Sequence, residues 1–366
     1  MSFLKTITKP VARVDAPGVN PPIFDGSKPS MKTRATQFFA QMLPLSYFKR
    51  LPTIIIIDAT NSCNLRCPVC PVTFAMTRKR GMMKLDVFKG IVDDFKNEAK
   101  KPAMYFSFSG EPTMNKDLPE FVAYAHENGH ETYLSTNCTK LTEEMSERLI
   151  LAGLDRVNLC MDGFSKEAQE AYRVNSDFDE VKANIEMFLN TRKRLGTKHP
   201  KCVLQTLLTG YSETQMKDIE VWAREAGFDR IRFKTFSIGS YTSEEQKREF
   251  SHFLPKSKEL LRHPTEVARS LCTVPLYQSV VFWNGDLGLC CIDYDRVIEL
   301  PNVGEGGFVA AYRSDEAAAA RKKGYLKQFD ICKGCSYSNA ENMGFKVDLH
   351  LQPIERTSFK ARRETP

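Results

Sequence analysis

From residue 51 to about residue 240, short apolar runs alternate with longer amphipathic segments. The short runs are rich in β-branched and aromatic residues, which is typical of strands in a parallel sheet. We predict six strands, over residues 53–58, 103–108, 131–135, 156–161, 202–208 and 230–235. The amphipathic segments predict helices over 85–100, 118–128, 142–152, 178–194 and 213–226. Several of these are followed by glycine, which commonly ends a helix.

Six alternating strand–helix units predict a fold of the α/β class. Connections between parallel strands are right-handed, so the helices should cover one face of the sheet. Six units are too few for a closed barrel of eight, so we expect an open, partial (β/α)6 barrel over residues 51–240. Ligands of such folds bind at the C-terminal ends of the strands.

The flanking segments have a different character. Residues 1–50 are rich in proline and lysine and predict an extended arm with a short helix over 36–43, ended by Pro44. Residues 241–270 predict a helical linker. Apolar runs at 279–283 and 287–291, joined by Asn284-Gly285, predict a hairpin with a two-residue turn. It begins a small C-terminal α+β domain over 271–355, with a helix over 316–323 and a basic tail over 356–366.

Composition narrows the partners that the chain is expected to have. The 366 residues include 52 basic and 45 acidic ones, a net charge of +7. This mild excess fits anionic small molecules or protein partners and does not call for a nucleic acid polymer. No apolar run has the length of a signal peptide or of a membrane span, so we expect a cytoplasmic protein.

The eleven cysteines include one compact group directly after the first predicted strand. In a reducing compartment, clustered cysteines indicate metal ligands or catalytic groups. Cys63, Cys67 and Cys70 have the spacing C-x3-C-x2-C. Three thiolates leave one iron of a 4Fe–4S cluster without a protein ligand, and an open metal position is typical of catalysis. Zinc usually takes four Cys or His ligands and is the alternative, which the spacing alone does not exclude.

Three further motifs follow the next predicted strands: 108–112 (Phe-Ser-Gly-Glu-Pro), 135–137 (Ser-Thr-Asn) and 158–163 (Asn-Leu-Cys-Met-Asp-Gly). With the cysteine loop they resemble the radical S-adenosylmethionine (radical SAM) superfamily over residues 53–240. The resemblance implies that Cys63, Cys67 and Cys70 hold a 4Fe–4S cluster whose fourth iron binds S-adenosylmethionine. It further implies that reductive cleavage gives a 5′-deoxyadenosyl radical that abstracts a substrate hydrogen. The electron would come from a partner such as flavodoxin or ferredoxin.

The resemblance also implies a set of residues that bind S-adenosylmethionine. The turn after the second strand would receive the amino group through its backbone carbonyls. Arg173 is a candidate for the carboxylate and Gln205 for the ribose, and the alternative is that both are ordinary residues of the barrel rim. The full set is Ser109, Gly110, Glu111, Pro112, Asn137, Cys160, Arg173 and Gln205.

Some positions depart from the family pattern. Val69 replaces a favoured aromatic residue, Cys138 stands where glycine is usual, and Cys160 replaces a usual serine. We expect Cys138 and Cys160 to face the site, where a thiol can donate a hydrogen atom to a product radical. The plainer interpretation is that both are small buried apolar groups. The basic segment 76–81 either contacts an anionic substrate or is a solvated loop.

A second group of cysteines resembles the SPASM/twitch extension of the same superfamily. Its short form implies one auxiliary 4Fe–4S cluster held by Cys272, Cys290, Cys332 and Cys335. A structural zinc is the alternative. Cys291 follows Cys290 directly, and strand alternation would turn the two to opposite faces. We therefore take Cys290 as the ligand and Cys291 as a spare thiol.

The sequence indicates the type of chemistry more clearly than it indicates the substrate. We favour a small polar molecule, such as a sugar, nucleoside or aminocyclitol of natural-product biosynthesis, that undergoes dehydrogenation, epimerisation or rearrangement. Peptide maturases of this superfamily often carry an N-terminal leader-binding domain, and residues 1–50 look too short for one. A peptide- or protein-modifying maturase is the alternative, and a non-catalytic metal-binding scaffold is the second alternative.

Overall fold

The computed structural model describes residues 31–236, 238, 243–261, 271–333, 335 and 345–351. Residues 1–30 of the arm, residues 241, 242 and 262–270 of the linker, and the tail over 356–366 lie outside the described residues. Within them, nine strands form one sheet. The strands are β1 (Ile54–Ile57), β2 (Ala103–Phe106), β3 (Thr132–Thr136), β4 (Arg156–Cys160), β5 (Lys201–Leu208), β6 (Arg230–Thr235), β7 (Gln278–Val281), β8 (Leu287–Gly288) and β9 (Phe345–His350).

The sheet has the order β8-β7-β1-β2-β3-β4-β5-β6-β9. Strands β1 to β6 are parallel neighbours in chain order, as the alternating pattern predicts. At one end β7 joins β1 in parallel, and at the other end β9 joins β6 in antiparallel orientation. The sheet is not closed into a barrel, and the α/β fold class and the partial barrel are confirmed.

Helices follow the strands and cover one face of the sheet. They are α1 (Met31–Gln41), α2 (Pro71–Phe74), α3 (Leu85–Asp93), α4 (Leu118–Glu127), α5 (Glu143–Leu151), α6 (Lys166–Tyr172), α7 (Phe178–Arg194), α8 (Met216–Ala226), α9 (Glu244–Glu249), α10 (Val274–Tyr277), α11 (Gly307–Arg313), α12 (Asp315–Tyr325) and α13 (Asp330–Lys333). Thr142 and Asp177 cap α5 and α7 by accepting hydrogen bonds from backbone N–H groups of the first turn. Helix α8 ends at Gly227, whose φ of 89° is left-handed.

Alternation along the strands separates a convex face from a concave one. Ile55, Phe106, Leu134, Val157 and Leu204 are buried in the main hydrophobic core with the helices. Residues one position away along each strand therefore face the opposite, concave side of the sheet. The concave side is the inside of the partial barrel, and it extends to the C-terminal ends of β1 to β6.

The C-terminal hairpin corrects two predictions. Its loop has three residues, because the Phe282 N–H donates to Asp286 O and the Gly285 N–H donates to Phe282 O. Gly285 has a φ of 87°, which only a residue without a Cβ adopts at low cost. The return strand β8 ends at Gly288 and does not reach Cys291. The hairpin also extends the barrel's own sheet, so this part of the C-terminal region packs directly beside β1.

Candidate active site

The cysteine loop leaves the C-terminal end of β1 and is ordered largely by its own backbone. The guanidinium of Arg66 donates to Cys63 O at 2.7 Å and to Leu65 O at 2.9 Å. The Cys70 N–H donates to Cys67 O at 3.1 Å, and α2 begins at the next residue. The loop therefore turns back on itself and gathers three thiols at one edge of the sheet.

The three thiols are close enough to interact electrostatically. Burial, with smaller contributions from the neighbouring Cys70 and Cys63, raises the pKa of the Cys67 thiol to about 11. Burial also raises the pKa values of Cys63 and Cys70. Thiolates are thus disfavoured here without a positive partner, and bound iron supplies one. Among the described residues, no three Cys, His, Asp or Glu side chains converge as a single metal ion requires.

Val69 lies in a hydrophobic cluster on the outer side of the loop. With Leu65 and Cys67 it packs among the aromatic rings of Tyr172, Phe236, Phe250 and Phe253. These rings surround the position where the family favours an aromatic residue, so the smaller valine leaves no solvent gap: its side chain is only 3% exposed.

The turn after β2 packs directly against the cysteine loop. The Glu111 N–H donates to Ser62 O at 2.9 Å. A Cβ atom on Gly110 would lie 2.5 Å from Ser62 O and would also overlap Thr60 O. Glycine is therefore required because two stretches of backbone meet at this point.

The side chain of Glu111 joins this turn to the end of β3. Its Oε1 accepts from the Thr113 hydroxyl at 2.6 Å, the Thr113 N–H at 3.1 Å and the Thr136 hydroxyl at 2.7 Å. Its Oε2 accepts from the Asn137 N–H at 2.7 Å. The carboxylate is only 3% exposed, so Glu111 holds the turn in place and its side chain is not available to a ligand.

Asn137 lies between the end of β3 and the cysteine loop. Its amide nitrogen is 3.2 Å from Asn64 Oδ1 and 3.9 Å from Cys63 Sγ, both within hydrogen-bonding range for the respective acceptors. Its Oδ1 accepts from the backbone and hydroxyl of Thr139. Both ends of this amide are therefore used in placing the loop beside β3.

Arg173 lies between the cysteine loop and the end of β4. Its Nε donates to the buried carboxylate of Asp162, whose other oxygen accepts from the Leu207 N–H at 2.8 Å. Its charge lowers the pKa values of Cys67 and Cys160, which shows that it is near both thiols. Within the described part of the chain only Nε has an acceptor, so the two terminal nitrogens remain for an anionic ligand.

Cys160 and Gln205 meet at the C-terminal end of the concave face. Gln205 Nε2 is 3.5 Å from Cys160 Sγ, and Ser135 Oγ is 3.4 Å from the same sulfur. Burial raises the pKa of the Cys160 thiol. A neutral thiol beside two polar side chains thus lies where the sequence places the cofactor.

Cys138 does not face the site, which contradicts our expectation. Its side chain is fully buried in the main hydrophobic core, and its thiol is 3.6 Å from Thr136 O. The backbone has a φ of 66°, the left-handed conformation for which the family uses glycine. In this conformation the cysteine side chain is directed into the core.

A buried ionic group under the site escaped the sequence analysis. The Ser109 hydroxyl donates to Asp58 Oδ1 at 2.7 Å, and Arg78 Nη2 is 3.2 Å from both Asp58 Oδ2 and the Ser109 hydroxyl. The Arg78 guanidinium also lies 4.2 Å from the centre of the Phe282 ring and donates to Tyr294 O. Arg78 therefore ties the end of β1 to the C-terminal hairpin region.

Segment 76–81 is anchored by hydrogen bonds, although Lys79 and Arg80 are exposed to solvent. Arg80 donates to Asn61 O and Val72 O, and the backbone of Thr77 and Arg78 donates to the Asp295 carboxylate. Val72 belongs to the nearby helix α2 and Asn61 to the start of the cysteine loop, whereas Asp295 lies in the C-terminal region, distant in sequence. Hydrophobic and charge patterns along the chain carry no signal for these contacts.

The C-terminal cysteines lie near enough to one another to interact electrostatically, as a second group. Burial is the main cause that raises the pKa values of Cys272 and Cys290. The neighbouring Cys332 and Cys335 also raise the pKa of Cys272. Cys291 and Cys272 do the same for Cys290. Burial also raises the pKa of Cys291 to about 11, and Cys335 and Cys272 add to it. Cys290 and Cys291 lie in a turn beyond β8, so strand alternation does not separate them and the expectation that Cys291 points away is wrong.

Comparison with known proteins accounts for both groups. The profile of the Radical SAM superfamily matches residues 57–223, and that of the SPASM iron–sulfur cluster-binding domain matches residues 272–336. This chain belongs to the radical SAM superfamily. Its C-terminal region is a SPASM-type domain, and the two domains together imply a 4Fe–4S cluster, S-adenosylmethionine and an auxiliary cluster.

The relatives of this radical SAM protein differ in what their names say they act on. The Fe-coproporphyrin III synthase of Methanosarcina barkeri is 33% identical over 129 residues, which are 35% of this chain and 32% of that protein. The chain thus spans about a third of that relative. Crystallised BtrN in complex with AdoMet and 2-DOIA has a TM-score of 0.51 at 17% identity, over 82% of this chain and 99% of BtrN. Streptococcus suis SuiB bound to its precursor peptide SuiA has a TM-score of 0.56 at 15% identity, over 84% of this chain and 74% of SuiB.

The residues present fit the groups that the family implies. Three thiols of the loop and four or five of the C-terminal group supply the soft sulfur donors that iron–sulfur clusters take. Cys63, Cys67 and Cys70 would hold one cluster, and Cys272, Cys290, Cys332 and Cys335 the other. In the described part of the chain, no helix has the length and apolar character to cross a membrane.

Proposed function

We propose that this protein cleaves S-adenosylmethionine reductively and uses the resulting 5′-deoxyadenosyl radical to abstract a hydrogen atom from a small polar substrate. The observation that carries the proposal is the joint placement of the cysteine loop, the Gly110–Glu111 turn and Arg173 at one edge of the sheet. Each lies at the C-terminal end of a different strand, where α/β folds bind ligands. The substrate would be a sugar, nucleoside or related metabolite, and the outcome a dehydrogenation, epimerisation or rearrangement.

The protein's own groups would position and shield the cofactor. The guanidinium of Arg173, oriented by Asp162, has terminal nitrogens for the S-adenosylmethionine carboxylate. The turn at Gly110 would receive the amino group through its backbone, and Gln205 would reach the ribose. When bound, the cluster and S-adenosylmethionine supply the electron transfer and the carbon radical.

Cys160 is the one candidate hydrogen donor that the arrangement supports. It lies with Ser135 and Gln205 at the end of the concave face, and its thiol is protonated because burial raises its pKa. A protonated thiol carries the hydrogen atom that an epimerase returns to its product. The burial of Cys138 in the core disfavours that residue for the role.

A deuterium-transfer experiment tests the proposal. The full chain is reconstituted with iron and sulfide without oxygen and incubated with S-adenosylmethionine, dithionite and deuterated sugars, nucleosides and peptides. We expect 5′-deoxyadenosine, with label from a small-molecule substrate. Label from a peptide alone would assign the protein to the maturases. Bound zinc without any cleavage of S-adenosylmethionine would leave only a metal-binding scaffold.

A further inference from the structure

The concave face of the partial barrel is basic. Val157, Leu159, Ile231 and Phe233 are buried on the convex side, so their neighbours along β4 and β6 face the inside. The basic residues at concave positions of the six parallel strands are Arg156, Lys201, Arg230, Arg232 and Lys234. Within the bounds of β1 to β6, all of which the structure describes, no concave position holds an acidic residue; Glu131, just before β3 and on the same side as Tyr133, is an acid at the border of this face.

The basic residues of this face differ in their surroundings. Lys201 Nζ is 3.5 Å from the Asp229 carboxylate. For Arg156, the described residues supply no carboxylate within ion-pair distance. We therefore base the inference on Arg156 and its immediate surroundings.

The guanidinium of Arg156 lies beside the outer ring of a stacked tyrosine pair. It lies 5.0 Å from the centre of the Tyr133 ring, and Tyr133 stacks on Tyr105 with ring centres 4.5 Å apart and planes 4° apart. Tyr133 is fixed further by the hydrogen bond from its hydroxyl to Glu131, at 2.7 Å. Among the described residues, the guanidinium N–H groups of Arg156 have no hydrogen-bond acceptor, so they remain available to a ligand beside this aromatic surface.

Other polar groups line the same surface. Asn158 follows Arg156 on the concave side of β4, and its Oδ1 is buried with no hydrogen-bond partner among the described residues. Farther along the strand are Cys160 and Gln205, at the level of the expected cofactor. A buried acceptor without a donor is costly, and a ligand that supplies a hydroxyl or amide removes that cost.

We infer that the concave face binds an anionic substrate, with Arg156 on the Tyr133–Tyr105 stack holding a carboxylate or phosphate group. The inference rests on the proposed function and narrows its substrate class. It favours acidic sugars, sugar phosphates or nucleotides over cationic aminocyclitols, because a cation would be repelled by the basic face.

The position of Arg156 also sets the length of the ligand. Cys160 is four positions after Arg156, and an extended strand rises about 3.3 Å per residue, so the two lie about 13 Å apart along β4. A substrate whose anionic group meets Arg156 and whose reacting carbon lies near Cys160 therefore spans roughly that distance. Asn158, midway between them, would contact its central part.

Binding of matched probes to the reconstituted protein with S-adenosylmethionine tests the inference. The probes are glucose, glucosamine, glucose 6-phosphate and glucuronate, titrated anaerobically by calorimetry. We expect at least one of the two anions to bind at least about tenfold more tightly than glucose, and glucosamine to bind no better than glucose. The phosphate and carboxylate probes show which anion the site prefers. Equal affinity of neutral and anionic probes, or no measurable binding of either anion at millimolar concentration, overturns the inference.

Variants separate a binding role for Arg156 from a structural one. Arg156→Gln should remove the preference for the anion, whereas Arg156→Lys should retain part of it. Arg224→Gln is the matched control, because Arg224 lies on the surface of α8 in an ion pair with Glu220. A preference that persists in Arg156→Gln contradicts the inference.

The same preparations are assayed for 5′-deoxyadenosine without substrate. Cleavage without an anion preference refutes the inference and leaves the proposed function intact. An anion preference without cleavage refutes the proposed function and leaves the site intact.

Discussion

A substitution of Glu111 tests whether its carboxylate holds the turn after β2 in place. Its buried carboxylate accepts four hydrogen bonds from described groups on the turn after β2 and at the end of β3. Replacing it with glutamine keeps the size and shape of the side chain but turns one acceptor into an N–H2 donor. In either orientation of the amide, this donor faces the backbone N–H of Thr113 or of Asn137.

The magnitude follows from these contacts. A hydrogen bond to a charged acceptor contributes about 1.5–3 kcal/mol, and a buried donor left without an acceptor costs a further 1–3 kcal/mol or so. Relaxation recovers part of this, since both threonine hydroxyls can rotate and accept. We expect Glu111→Gln to lower the free energy of unfolding by about 2–4 kcal/mol. Because Asn137 lies beside Cys63, affinity for S-adenosylmethionine should fall as well.

Anaerobic urea unfolding, followed by circular dichroism, measures the effect. Glu120→Gln is the matched control: Glu120 pairs with Arg148 on the surface, with 44% of its side chain exposed, and its loss should cost less than about 1 kcal/mol. Equal unfolding midpoints for the two variants would refute the view that Glu111 links the turn to β3.

Three further predictions concern the same part of the molecule. Gly110→Ala should destabilise the protein by about 1–3 kcal/mol, because the added Cβ would overlap the backbone of the cysteine loop. Gly90→Ala is the control: its Cβ meets open space in α3, and it should stabilise the protein by about 0.5–1 kcal/mol, as thermal unfolding of both variants would show. Arg78→Met should cost about 3 kcal/mol near pH 8 and less near pH 5, as urea unfolding at both pH values would show. Burial raises the pKa of the Asp58 carboxyl above its value in the unfolded chain, and the charge of Arg78 opposes this shift. Without Arg78 the folded state binds a proton more readily, so the stability of the variant falls as the pH rises. A loss of stability that does not depend on pH would contradict this reasoning. Cys67→Ala should lower the iron content by about four atoms per chain, whereas Cys202→Ala, remote in the core, should not, as iron and sulfide analysis checks.

Periodicity was sufficient for the parallel strands and for most of the helices that follow them, although the helix predicted over 85–100 ends at Asp93 and α6 was not predicted. The runs that become β1 to β6 are short and bounded by turn residues, and their apolar positions match the convex core. Local signals also located the cysteine loop and the Gly110–Glu111 turn, because both are continuous in sequence. The boundaries that failed are those set by tertiary contacts, such as the end of β8, where the chain turns towards the C-terminal cysteines.

The groups that the sequence did not reveal are assembled from distant segments. Asp58, Arg78 and Ser109 meet only because β1, β2 and the hairpin region share one edge of the sheet. Similarly, the basic concave face becomes visible only when alternate residues of separate strands are brought together. Cys138 was misplaced because its direction depends on a left-handed backbone, which residue type alone does not predict.

The central claim is that a cluster held by Cys63, Cys67 and Cys70 has an open iron that binds S-adenosylmethionine. Electron–nuclear double resonance of the reduced, reconstituted protein with S-adenosylmethionine labelled with 15N at the amino group tests it most directly. We predict a hyperfine coupling from the labelled nitrogen that disappears in Cys67→Ala and persists in Cys272→Ala. Absence of the coupling in the wild-type protein, or its persistence without Cys67, would contradict the account.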